Sequence, residues 1–97
     1  MTDDKAELEI KRGQDAAQLL AHPLLVDAFV AIESEILEKW QNSPARDAEG
    51  REKLWTMLHL LRRVKGHLES HVETGKVAQA TLAQKAARVA GLNSTSF

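Results

Sequence analysis

Two imidazoles stand one helical turn apart in His67-Leu68-Glu69-Ser70-His71, a spacing that puts both on one face of a helix, where two nitrogens could begin a metal site. The glutamate is misplaced for zinc-dependent hydrolysis. The His-Glu-x-x-His pattern needs it beside the first histidine, where it serves as general base. No obvious third ligand follows; His59 and Glu73 are the nearest candidates. The ordinary alternative is a pair of solvated histidines on a polar helix face. No metal and no cofactor are expected.

A second cluster is cationic: Arg62, Arg63 and Lys65, with His67 beside them and Lys76, Lys85 and Arg88 further on. Lysine and arginine against phosphate dominate non-specific nucleic-acid affinity. Arg62, Arg63, Lys65 and Lys76 are therefore the residues of a nucleic-acid reading. At 100° per residue no single helix face collects the whole set. Solvation, or pairing with Glu33, Glu35 and Glu38 on a neighbouring helix, accounts for the same residues. The stretch from Thr81 to Ser96 has the alanine, glycine and hydroxyl order of a first helix and turn in a helix-turn-helix. The recognition helix that should follow is missing, since the chain ends at Phe97. A glycine stop at Gly91 explains those residues as well.

Other chemistries find no residues. There is no cysteine, which removes disulfides, thiolate metal sites and cysteine nucleophiles. No glycine-rich phosphate loop and no serine nucleophile elbow occur. Paired carboxylates such as Glu33 and Glu35 point in different directions on a helix. No catalytic residue is assigned, and an enzyme is not expected. The start, Met1-Thr2-Asp3-Asp4-Lys5, is polar and unlike a signal peptide, and no apolar run approaches the roughly 18–20 residues of a membrane span. A cytoplasmic location away from the membrane is the expectation.

The elements that would carry these residues are helices. With 97 residues, 43% apolar and only 4% aromatic, one domain with a thin aliphatic core is expected. A first helix over 4–21 is weakly periodic, interrupted by Gly13, and expected to fray in its first half. His22-Pro23 marks a boundary, because proline disfavours helical backbone before it and suits a first turn after it. Over 23–41, Leu25, Phe29, Ile32, Ile36 and Trp40 recur at three- and four-residue steps, an amphipathic helix. Asn42–Asp47 is the turn, with Asp47 favoured over Ser43 as the cap of the next helix. Leu54, Leu58, Leu61, Leu68 and Val72 then mark a helix over 47–75. The alanine-rich 76–90 continues it, straight or kinked near Gly75, and 91–97 reads as a tail. The fold class is all-α: an antiparallel helical hairpin with a flanking N-terminal helix and a long or kinked C-terminal helix.

Charge divides the chain. Residues 1–49 carry a balance of −6 and residues 50–97 one of +5. Opposite charge favours antiparallel pairing of the two hairpin arms, about 19 and at least 28 residues long. The longer arm overhangs beyond Gly66 without an obvious intrachain partner, and Gly66 itself reads as a place for another backbone to approach. Trp40, Trp55, Leu61, Leu68 and Val72 are the residues expected to form an oligomer or partner surface.

Three stretches carry a resemblance: Leu20-Ala21-His22-Pro23-Leu24-Leu25, then Ser43-Pro44-Ala45-Arg46-Asp47-Ala48-Glu49-Gly50-Arg51-Glu52-Lys53-Leu54, then Gly66-His67-Leu68-Glu69-Ser70 with Glu73-Thr74-Gly75-Lys76. Over about residues 18–82 the pattern resembles small helical proteins encoded by tailed bacteriophages and prophages. The resemblance implies a virion accessory, packaging or scaffold-like protein, in the host cytoplasm or on the virion. Its partners would be further copies of itself or another phage protein. It transfers no site residue.

Overall fold

The computed structural model describes the backbone of residues 3–94 and the side chains of residues 3–91. Those residues form three helices, α1 (Asp3–Ala21), α2 (Pro23–Asn42) and α3 (Ala48–Ser94), and no strand is found among them. The all-helical expectation holds.

Local chemistry sets the ends. His22 has extended backbone ahead of Pro23, and its Nδ1 accepts from the Leu24 amide at 3.2 Å, so an imidazole caps α2. At the other end the Ser43 amide and hydroxyl both donate to the Trp40 carbonyl, at 3.2 and 2.6 Å. Asp47 caps α3: its Oδ1 accepts from the Gly50 amide at 3.1 Å and its carbonyl from the Arg51 amide at 3.0 Å. The helix does not break at Gly75 or stop at Gly91; both lie inside α3. A glycine costs a helix only about 1 kcal/mol relative to alanine, too little to end one that has packing partners.

Contacts gather into two compact parts, residues 3–18 with 69–94, and residues 19–68. In the first, α1 lies against the second half of α3. The two backbones meet at Gly13 and Gly75. A Cβ placed on Gly13 would stand 2.8 Å from the His71 carbonyl oxygen and 3.0 Å from the Gly75 Cα, and one on Gly75 would stand 3.0 Å from the Glu9 carbonyl oxygen. No side chain fits between the helices there. Ala6, Ala16 and Ala78 are buried along the same seam, and Lys85 closes one end on Asp3 at 2.9 Å. Two expectations are corrected. Gly13 does not weaken α1; it is where α1 docks. The α3 residues from Glu69 onward do have an intrachain partner, α1 itself.

In the second part, α2 packs on residues 48–68 of α3. Contacts run in opposite order along the two helices: Trp40 meets Arg51 and Glu33 meets Arg62. Among the bulky aliphatic and aromatic side chains here only Ile36 is buried; Leu25, Phe29, Leu54, Leu58, Leu61 and Leu68 are half-buried. Gly66, expected to admit another backbone, has nothing within 4 Å of where its Cβ would be.

Candidate functional site

What residues 19–68 offer is surface. Ile36 fixes the inward direction of α2. Steps of about 100° per residue then put Val26, Val30, Glu33, Leu37 and Trp40 on one flank and Leu24, Ala28 and Ile32 on the other. On α3, with Leu58 inward, Trp55 and Arg62 fall on one flank, and Met57, Leu61 and Val64 on the other, with Leu60 at its outer edge. The contacts match the flanks. Glu33 bonds Arg62 at 2.7 Å, and Leu37, Trp40 and Trp55 line one recess with Ile36, Leu54 and Leu58. Val26, Val30, Leu37, Trp40 and Trp55 therefore share a tryptophan face. Leu24, Ile32, Met57, Leu60 and Val64 share the opposite, leucine face.

The tryptophan recess is open, almost wholly apolar and about 220 Å³. Arg51 lies over the Trp40 ring, its Cζ 4.0 Å from the centroid, and donates from Nη1 to the Ser43 hydroxyl at 3.1 Å. One guanidinium thus ties the end of α2 to the first turns of α3, a cation–π contact supported by hydrogen bonding. Trp55 stacks on His59 one turn later, with ring centroids 5.1 Å apart and 6° between planes. That stack leaves Trp55 60% exposed.

The leucine face is more exposed still. Leu24 is 74% exposed, and Ile32, Met57, Leu60 and Val64 lie between 44% and 57%. Charge frames both faces. α2 carries Asp27, Glu33, Glu35 and Glu38 against Lys39, while residues 48–68 carry Arg51, Lys53, Arg62, Arg63 and Lys65 against Glu49 and Glu52: −3 and +3.

The five residues expected to form one partner surface are not gathered. Trp40 and Trp55 share the recess on one face. Leu61 and Leu68 are half-buried on the other flank of α3. Val72 belongs to the other compact part, lining a shallow hollow with Ile10, Gly13 and Gly75. Arg51, Leu24, Met57, Leu60 and Val64 were not singled out as surface. For Leu24, Met57, Leu60 and Val64 the signal was present, since each stands off the inward stripe by a quarter turn or more; Arg51, seven residues before Leu58, falls on the stripe itself.

The cationic set divides in the same way. Arg62 is engaged by Glu33, and Lys76, in the other part, lies 3.5 Å from Glu73. Arg63 and Lys65 form no ion pair among the described residues. His67 and His71 gather no metal set: among the described residues no group of three or more His, Cys, Asp or Glu side chains could hold an ion. Among those residues no helix is long and apolar enough to cross a membrane. No protein-family model, curated protein or solved structure matches the chain.

Proposed function

We propose that this chain is a non-enzymatic assembly protein that acts through its helices, by self-association or by binding another component of the same assembly. The observation that carries this is the surface of residues 19–68. Two helices in antiparallel hairpin order bury one bulky side chain and leave ten large apolar ones more than two-fifths exposed across two faces. Contiguous apolar surface of this kind marks interaction sites on soluble proteins. The resemblance of the quoted segments to small phage and prophage proteins supplies the setting: a virion accessory, packaging or scaffold-like component in the host cytoplasm or on the particle.

Contact with nucleic acid through Arg62, Arg63, Lys65 and Lys76 receives less support. Two of those four cations already have carboxylate partners within the chain. If Arg63 and Lys65 alone met phosphate, binding to duplex DNA would fall with salt at a log–log slope of about −1.8. A slope twice as steep would restore the four-cation site.

Sedimentation equilibrium of the full chain over a micromolar range tests the self-association branch. The expected result is an average mass that rises with concentration above that of one chain. A single compact species at every concentration would contradict self-association and move the weight to a different partner.

A further inference from the structure

We propose that the leucine face is covered by a second copy of this chain, packed about a two-fold axis parallel to the helices so that each α2 lies on the partner's α3. The proposal rests on the assembly reading above and specifies its occupant and arrangement.

Area comes first. Leu24, Ile32, Met57, Leu60 and Val64 together leave on the order of 500 Å² of side-chain surface open, the size of patch that marks an interaction site. With its polar rim, such a patch approaches the roughly 800 Å² that each partner buries in a standard interface. A two-fold interface must be self-complementary, the same patch on both sides. An apolar face with an acidic helix along one edge and a basic helix along the other meets that condition.

Charge then chooses between the two ways of stacking one hairpin on another. A two-fold axis across the helices would lay α2 on α2 and residues 48–68 on residues 48–68, setting −3 against −3 and +3 against +3. An axis along the helices lays α2 on the partner's residues 48–68, −3 on +3. All neighbouring helices then run antiparallel and alternate in sign around a four-helix arrangement, and like-charge juxtaposition is avoided.

The arrangement also makes a residue-level statement. Rotation about an axis parallel to the helices preserves height along them, so residues level within one hairpin are level across the pair. The Trp40–Arg51 and Glu33–Arg62 contacts together set Glu38 level with a point between Lys53 and Met57. Lys53 stands within about one helical turn of that level, a gap the two long side chains span, and both it and Glu38 project from the outer edge of the leucine face. Glu38 of one copy therefore meets the partner's Lys53, twice in each dimer. Among the described residues Lys53 has only a Glu49 ion pair, 3.5 Å long and on an exposed surface.

The test is sedimentation equilibrium of the full chain and five variants, with circular dichroism confirming that each keeps its helix content. Glu38→Lys and Lys53→Glu should each raise the dimer dissociation constant about tenfold, the scale of two surface pairs lost and made repulsive. Glu38→Lys with Lys53→Glu in one chain should return it to near the wild-type value. Leu60→Glu should leave only monomer, while Val30→Glu, on the tryptophan face, should dimerise as the wild type does. If the wild type associates but Leu60→Glu still dimerises, the leucine face is not the interface and the proposal falls while association stands. If the double reversal fails to rescue the single ones, the placing of α2 on the partner's α3 falls. If the wild type is monomeric at every concentration, self-association itself falls.

Discussion

The two parts of this molecule hold helices together by opposite means. Along α1 and the second half of α3 the inward residues are Gly13, Ala6 and Ala16 against Gly75 and Ala78, so backbone meets backbone and little apolar surface is needed. Between α2 and residues 48–68 the inward residues are Leu, Ile, Phe and Trp. Those helices meet through bulky side chains, most of which remain half in solvent. Small residues give a close seam complete within one chain. Large ones leave apolar surface open. On the proposed reading, stability and association fall to different stretches of a 97-residue sequence.

The comparison breaks most sharply at the seam. Gly13→Leu must drive an isobutyl group into the His71 carbonyl and Gly75 backbone, neither of which can swing aside. Urea denaturation should show a loss of about 3 kcal/mol, the upper end for overpacking. Removing the α3 cap by Asp47→Ala should cost about 1 kcal/mol in the same assay.

Paired alanine substitutions sharpen the contrast. At Gly66, where a methyl group meets nothing, Gly66→Ala should raise the unfolding free energy by up to about 1 kcal/mol through helix propensity. Gly75→Ala gains the same propensity yet should lose stability, because its methyl would press on the Glu9 carbonyl and Gly13 Cα. Equal signs at the two glycines would remove the distinction between seam and open helix. The smallest effect is the Glu33–Arg62 ion pair. Both partners are more than a third exposed, and a double-mutant cycle should return only about 0.5 kcal/mol.

Much of this was legible in residue order. Leu25, Phe29, Ile32, Ile36 and Trp40 announce α2, and His22-Pro23 and Asp47 announce where helices begin, because proline sterics and side-chain capping are local. The seam was illegible for a physical reason. Its inward positions on α1 run Ala6, Glu9, Gly13, Ala16, three small residues and one acid whose Oε2 is buried without a hydrogen-bond partner among the described residues. A search for large apolar side chains passes over such a stripe, and read by propensity alone Gly13 looks like a weakness. Gly66 misled in the reverse sense: a mid-helix glycine permits close approach but does not summon it.

The candidate surface was half legible for a related reason. Trp40 and Trp55 stand out as the chain's only tryptophans, and the structure sets them in one recess. The leucine face needed to be seen with both helices in place, because Leu24 and Ile32 on α2 join Met57, Leu60 and Val64 only across the pair. Along either helix alone they read as a widening of the core stripe. Val72 continues the α3 stripe by its spacing, and the helix beside it is α1.

The central claim is that association belongs to residues 19–68 and internal closure to the α1 seam. Amide hydrogen exchange of the full chain, at low and high micromolar concentration, tests it most directly, since local protection reports which stretches are being held. Protection should rise with concentration at α2 and residues 48–66, and remain constant at residues 6–16 and 72–82. Protection independent of concentration throughout, or a rise confined to the α1 seam, would contradict it.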